Sequence, residues 1–130
     1  MTDYSGDPDS TAIYQAVSDY YLGWYEPNIE LMNRCLHPRL AKRSIQKDEQ
    51  GKEYLDHLTK EQMVDYTRDG GGSDLPEQDK HWEITIKEKY EDIAAVTVLS
   101  TEYVEYIQLA KQDSRWQIVN ILWTFNRANQ

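Results

Sequence analysis

The chain has one cysteine in 130 residues, Cys35. That excludes an intrachain disulfide and any metal centre built on a cysteine cluster. Excess positive charge is also missing: 14 Lys and Arg stand against 23 Asp and Glu, for a net charge of −9. A nucleic-acid binder needs a basic face and an anionic membrane surface attracts one, so neither partner is expected. No apolar run approaches the eighteen or so residues of a membrane span, and the N-terminus does not read as a basic-then-apolar leader. The expectation is a soluble, cytoplasmic protein. No two histidines and carboxylates share ligand spacing, so no metal is expected, and no cofactor. Phenylalanine occurs once, yet there are ten Tyr and four Trp. These rings carry an apolar body and a polar tip, which suits a cavity wall or an interface better than a dry core.

Trp82 to Asn126 lacks proline and glycine and is rich in Val, Ile, Thr, Tyr and Trp, residues that fit a pleated, half-buried surface. It breaks at Tyr90-Glu91-Asp92, Ser100-Thr101-Glu102 and Gln112-Asp113-Ser114, and so predicts a four-stranded antiparallel meander. The rest of the chain must cover one face of it. Residues 1–10, with Gly6 and Pro8, read as a disordered lead-in, and 11–130 as one domain. Asp9, Ser10 or Thr11 can cap a first helix from Ala12 to Tyr25, with Ile13, Ala16, Val17, Tyr20, Tyr21 and Trp24 as its stripe. Asn28 can cap a second helix, with Ile29, Met32, Cys35 and Leu36 as its stripe and His37-Pro38 as its stop. Arg39 to Ile45 is a weak candidate strand, and 46–52 a polar turn. Thr59 and Gln62 make a capping box for a third helix over 60–68 that buries Met63, Val64 and Tyr66. The glycine-rich stretch 70–80 reads as a flexible connector, or as a mobile segment over a cavity mouth.

Two strands are apolar on both parities. Ile93, Ala95 and Leu99 alternate with Ala94, Val96 and Val98. Trp116, Ile118 and Leu122 alternate with Val119, Ile121, Trp123 and Phe125. Strands of this kind are covered on both sides. With helices on one side, the other predicts a homodimer through the outer sheet face.

Helix, helix, weak strand, helix and a terminal meander is an order that resembles the nuclear transport factor 2-like fold. Four stretches carry the likeness: AVSDYYLGWY from Ala16, LMNRCLHPRL from Leu31, LTKEQMVDY from Leu58 and the long run from Asp92 to Asn120. They are similar to the lumazine-binding branch, close to the SnoaL-like polyketide cyclases. The resemblance implies an α+β, cone-shaped (cystatin-like) domain, three N-terminal helices packed on a curved antiparallel sheet around a pocket. Beside the ketosteroid isomerases of the same fold, the helix-1 tyrosine corresponds to Tyr20 and the oxyanion-hole acid to Glu105. The general base should fall near Ser44, where no carboxylate stands, so isomerase activity is not expected.

Six residues are candidates for the site. Glu105 lies in an apolar row with Tyr103, Ile107 and Leu109, and a buried acid there can act as a proton donor. Tyr20 and Trp24 sit one turn apart on the first helix. His37 closes the second helix, where the helix dipole favours it, and Asn120 shares parity with Trp116 and Ile118. Each has a plain structural alternative as packing, cap or hydrogen-bond partner. The functional expectation is a small-molecule binder for an apolar or planar ligand. The alternatives are a cyclase, dehydratase or isomerase using Glu105 as acid and Tyr20 as donor, and a dimerisation scaffold whose pocket is filled.

Overall fold

The computed structural model describes residues 6–129. Three helices cover one face of a six-stranded sheet. Helix α1 runs Pro8–Tyr25, α2 Ile29–Cys35 and α3 Lys60–Arg68. The strands are β1 Leu36–Lys47, β2 Glu53–Leu58, β3 Trp82–Tyr90, β4 Ile93–Ser100, β5 Tyr103–Gln112 and β6 Arg115–Phe125, in the spatial order β2-β1-β6-β5-β4-β3. The last four form the expected meander. At the β5–β6 turn, Asp113 and Ser114 both have positive φ, as a two-residue hairpin of this hand requires.

Several boundaries differ from the sequence reading, each for a local reason. The first half of the lead-in, residues 1–5, lies outside the described residues, but 8–10 are helical. Asp7 is the cap: its carboxylate accepts from the Asp9 N–H at 3.2 Å, and Pro8 sits in the first turn, where its missing N–H costs nothing. Helices α2 and α3 begin at the expected caps, Asn28 and the Thr59–Gln62 box. Tyr66 is half exposed, whereas Met63 and Thr67 are buried. Strand β1 is twelve residues long, starts at once after α2, and contains His37-Pro38. Its pairing with β6 jumps from Leu36 to Ala41, and this irregularity holds the proline, which has no N–H to give a ladder. That β1–β6 pairing is parallel, so the sheet is mixed rather than wholly antiparallel. Strand β2 was not foreseen: its half-polar sequence sits at a sheet edge and pairs only with β1.

A second irregularity decides the site. Asn120 pairs with Gln108 and Ile118 with Leu109, so Val119 is an extra residue in β6. The bulge reverses parity. Ile118 and Ile121 are both buried on the helix side, while Asn120 and Leu122 face out.

The core joins Ile13, Val17, Tyr20 and Tyr21 of α1 to Val96, Val98, Ile107, Leu109 and Ile118 of the sheet. The glycine stretch is fixed to α1 rather than loose. Gly72 N–H donates to the Trp24 carbonyl at 2.8 Å. A Cβ on Gly71, which has φ +48°, would lie 2.4 Å from that carbonyl oxygen, and one on Gly72 would lie 2.6 Å from Trp24 Nε1. Only glycine lets the backbone approach so closely.

Candidate functional site

The site begins with a carboxylate in the core. Glu105 is inward on β5, between Tyr103 and Ile107, and is 2% exposed. A lone buried charge is costly and must be paired and hydrogen-bonded. The neighbouring helix and strand supply both. Helix α1 turns Tyr20 and Tyr21 towards it, since the apolar stripe there is wide enough to hold consecutive residues. Tyr20 donates to Glu105 Oε2 at 3.1 Å, and Tyr21 donates to Oε1. Strand β1 brings Lys42, whose Nζ lies 3.8 Å from Glu105 Oε2 and donates to the Tyr20 hydroxyl at 2.6 Å.

A relay results: the Lys42 ammonium donates to the Tyr20 oxygen, and the Tyr20 proton points at Glu105. Glu105 is an acceptor in every contact, and each of its oxygens is engaged. Burial, reinforced by the Glu105 charge, pushes both tyrosine hydroxyls well above the ordinary phenol range. Burial also pulls the Lys42 ammonium below its usual value, with Glu105 working against the shift. The side chain of Lys42 is 11% exposed. Its Nζ stands 5.2 Å from the Tyr20 ring centroid and 5.4 Å from that of Trp123, a cation held among ring faces.

This cluster forms part of the wall of a cavity of about 280 Å³. The other walls are Trp24, Leu58 and Met63, with Tyr66, Tyr103 and Trp123. Tyr103 meets Trp123 edge to face at 5.4 Å. Behind the cluster, Trp82 stacks on Tyr21 and Tyr25 at 5.5 and 5.8 Å, fixing the helix against β3. Burial first, then the charges of Glu102 and Glu105, raises the Tyr103 hydroxyl to about 12.

The sequence pattern of the family described as Putative lumazine-binding matches residues 8–124. The chain belongs to that family. Solved structures agree on the fold. An NTF-2 like protein of unknown function from Silicibacter pomeroyi DSS-3 superposes with a TM-score of 0.73 at 14% identity, over 97% of this chain and 100% of the other. A second such protein, from Shewanella baltica OS155, gives 0.68 at 14% identity, over 97% and 98%. A cystatin-like fold protein from Burkholderia xenovorans LB400 gives 0.61 at 18%, over 92% and 93%. At these identities the likeness shows the NTF2-like fold alone. No curated protein matches the sequence.

Within this member of the Putative lumazine-binding family, four of the six candidates meet at one cavity: Tyr20, Trp24, Tyr103 and Glu105. The other two do not. Asn120 is turned to the outer face by the Val119 bulge and donates to the Gln108 side chain at 3.0 Å. His37 lies in the irregular start of β1. Its Nδ1 accepts from the Arg39 N–H at 3.0 Å, so Nε2 carries the proton and donates to Gln112 at 2.8 Å. Both are held by hydrogen bonds away from this cavity.

Two site residues escaped the sequence reading. Tyr21 lies on the apolar stripe of the first helix, and nothing local sets it apart from the other stripe residues. Lys42 gave no signal of its own, because lysine ordinarily faces water. The available clue was indirect: a buried Glu105 calls for a counter-ion, and Leu40, Lys42 and Ser44 share the parity of an apolar face. Ser44 is buried, and its hydroxyl accepts from Gln46 at 3.0 Å. Among the described residues, no group of three His, Cys, Asp or Glu could hold a metal, and no helix is long and apolar enough to cross a membrane.

Proposed function

We propose that the protein binds a small, flat, mostly apolar molecule in the cavity between α1, α3 and the inner face of the sheet. The observation that carries this reading is the cavity's composition: about 280 Å³ walled by six aromatic side chains and two long apolar ones, with a single compensated ion pair. That volume lies just below the usual range of about 300–1,000 Å³ for small-molecule sites, which suits a small ligand. The family's description names lumazine, a flat heteroaromatic, which is one member of the class such walls suit. Acid–donor chemistry by Glu105 and Tyr20 alone has less support, because in the resting arrangement Glu105 accepts in each contact and the Tyr20 proton is directed at it, so Glu105 has no proton to give unless Lys42 first supplies one. Native mass spectrometry of the purified protein is expected to show a retained ligand. A thermal-shift screen of flavin precursors, sterols and polyketide-like aromatics is expected to show stabilisation by mass action. Protein that is empty by mass and unmoved by all three classes would overturn the reading.

Two copies are proposed to pair through the outer sheet face. Support comes from Tyr106 and Leu122, which are cross-strand partners there, and from Leu99, which pairs with Val104 on the same face; all three large side chains are about half exposed. Light scattering is expected to give the mass of a dimer.

A further inference from the structure

We propose that Lys42 captures its ligand covalently, as an imine with the carbonyl carbon of an uncharged, planar aldehyde or ketone. This inference rests on the cavity's being the ligand site and names the ligand's chemical class.

Charge balance supplies the first argument. Lys42 and Glu105 neutralise one another in a buried setting, and the third charge of an anionic ligand would be left without a partner there. A cationic ligand would face the Lys42 ammonium. An uncharged ligand leaves the balance intact, and a carbonyl oxygen gives the ammonium an acceptor on its cavity side. The ring walls set the ligand's shape: they admit a flat conjugated body.

The relay supplies the second argument. An ammonium cannot attack a carbonyl; an amine can. Lys42 Nζ is 2.6 Å from the Tyr20 oxygen, and the Tyr20 hydroxyl is 3.1 Å from Glu105. One proton moving from Nζ to Tyr20, with the Tyr20 proton moving to Glu105, turns the ion pair into a neutral amine and a neutral carboxylic acid. In a buried, apolar site that exchange removes two charges together. The Nζ lone pair then forms the C–N bond while the carbonyl π pair moves to oxygen. A proton passes from nitrogen to that oxygen, giving a neutral carbinolamine. Glu105 returns its proton, through Tyr20, to the carbinolamine hydroxyl. The C–O bond breaks, water leaves, and the nitrogen lone pair forms the C=N bond. The protonated imine then replaces the ammonium as counter-ion of Glu105. Atoms and charge balance with no outside oxidant or reductant.

The test uses the full chain with naphthaldehyde as probe and sodium cyanoborohydride to fix any imine as a secondary amine, followed by peptide mapping of all eight lysines. Burial holds the Lys42 ammonium below its usual value and the Tyr20–Glu105 pair stands ready to take its proton, so Lys42 is expected to take more label than any other lysine at substoichiometric aldehyde. Lys42→Arg, which keeps the cation beside Glu105, is expected to lose that label, and Tyr20→Phe to slow it by about tenfold through loss of the relay. Circular dichroism confirms that each variant is folded, and the wild-type map decides the question even where a variant is not. Naphthylmethanol, which has the same body and no carbonyl, separates capture from binding through quenching of Trp24 and Trp123. Quenching by the alcohol without preferential label on Lys42 overturns covalent capture and leaves the pocket standing. Neither quenching nor label overturns both.

Discussion

The two faces of strand β5 carry opposite solutions to one problem. Tyr103, Glu105, Ile107 and Leu109 point to the helices, and Val104, Tyr106, Gln108 and Ala110 point away. The inner row contains a formal charge and is nearly sealed from water. The outer row is uncharged, yet Tyr106 is 60% exposed and its cross-strand partner Leu122 is 54% exposed. Hydrophobicity therefore does not distinguish these faces; satisfaction does. Inside, each polar atom of the Glu105 cluster has a partner, so burial is tolerated. Outside, Tyr106 and Leu122 have no covering layer among the described residues.

The sharpest way to break this comparison is at Glu105. Glu105→Ala leaves Lys42 buried without its counter-ion and two tyrosine hydroxyls without an acceptor. The expected loss of stability is about 3–5 kcal/mol. Gln108→Thr, on the outer row of the same strand, is expected to stay within about 0.5 kcal/mol. Urea unfolding followed by tryptophan fluorescence measures both. Equal losses would mean that the ion pair is not the organising feature of the inner face.

Next in size is the roof of the cavity. Gly72→Ala puts a methyl group against Trp24 Nε1, with Tyr25 also within 3 Å of it. An overpacked site of this kind is expected to lose about 1–3 kcal/mol. Because Trp24 lines the cavity, the variant is also expected to weaken the thermal shift given by any ligand. Lost stability with an unchanged ligand shift would separate the loop from the pocket.

The two faces were unequally legible in the sequence. The meander could be read because its strands alternate and their turns are short and polar. The inward row of β5 could be read because Tyr103, Glu105, Ile107 and Leu109 keep strict period two with no irregularity before Gln108. Asn120 was misplaced because a bulge shifts parity by one residue, and nothing in Ile118-Val119-Asn120-Ile121 marks which residue is extra. Strand β2 was missed because an edge strand with one neighbour tolerates Glu53, Asp56 and His57. Lys42 was invisible to a reading that judges each residue by its own hydropathy, since its burial is permitted by a glutamate 63 positions away. Pairwise compensation across the fold has no local pattern.

Alkaline pH sharpens the inner face further. The hydroxyls of Tyr20, Tyr21 and Tyr103 are all raised by burial, the last to about 12. Above pH 10 the unfolded chain loses these phenol protons while the folded chain keeps them. The unfolded state then binds fewer protons, and stability falls as pH rises. This contribution is fully present below pH 10 and is expected to drain away above it, by about 1.4 kcal/mol per pH unit for each such tyrosine. Lys42 acts in the opposite sense, but only below its unfolded value, because its folded ammonium is the more acidic of the two. Unfolding free energies measured between pH 9 and 11 should therefore bend downward near the phenol range, and Tyr103→Phe should flatten the fall.

The smallest effect on the folded chain is expected on the outer face, and it carries the most information about assembly. Leu122→Glu places a carboxylate where the wild-type side chain is already half in water, so the isolated chain should change by no more than about 0.5 kcal/mol. Register puts Leu122 opposite Tyr106 on one side and Arg43 on the other. If two sheets meet through this face, the new charges are buried near the centre of the contact without dedicated partners, and association should weaken by several kcal/mol. Sedimentation or light scattering across a dilution series would then show dimer giving way to monomer while the far-ultraviolet spectrum stays the same. A wild type that remains monomeric at high concentration removes the pairing outright. A variant that stays dimeric moves the contact elsewhere and leaves Leu99, Tyr106 and Leu122 as uncovered apolar surface.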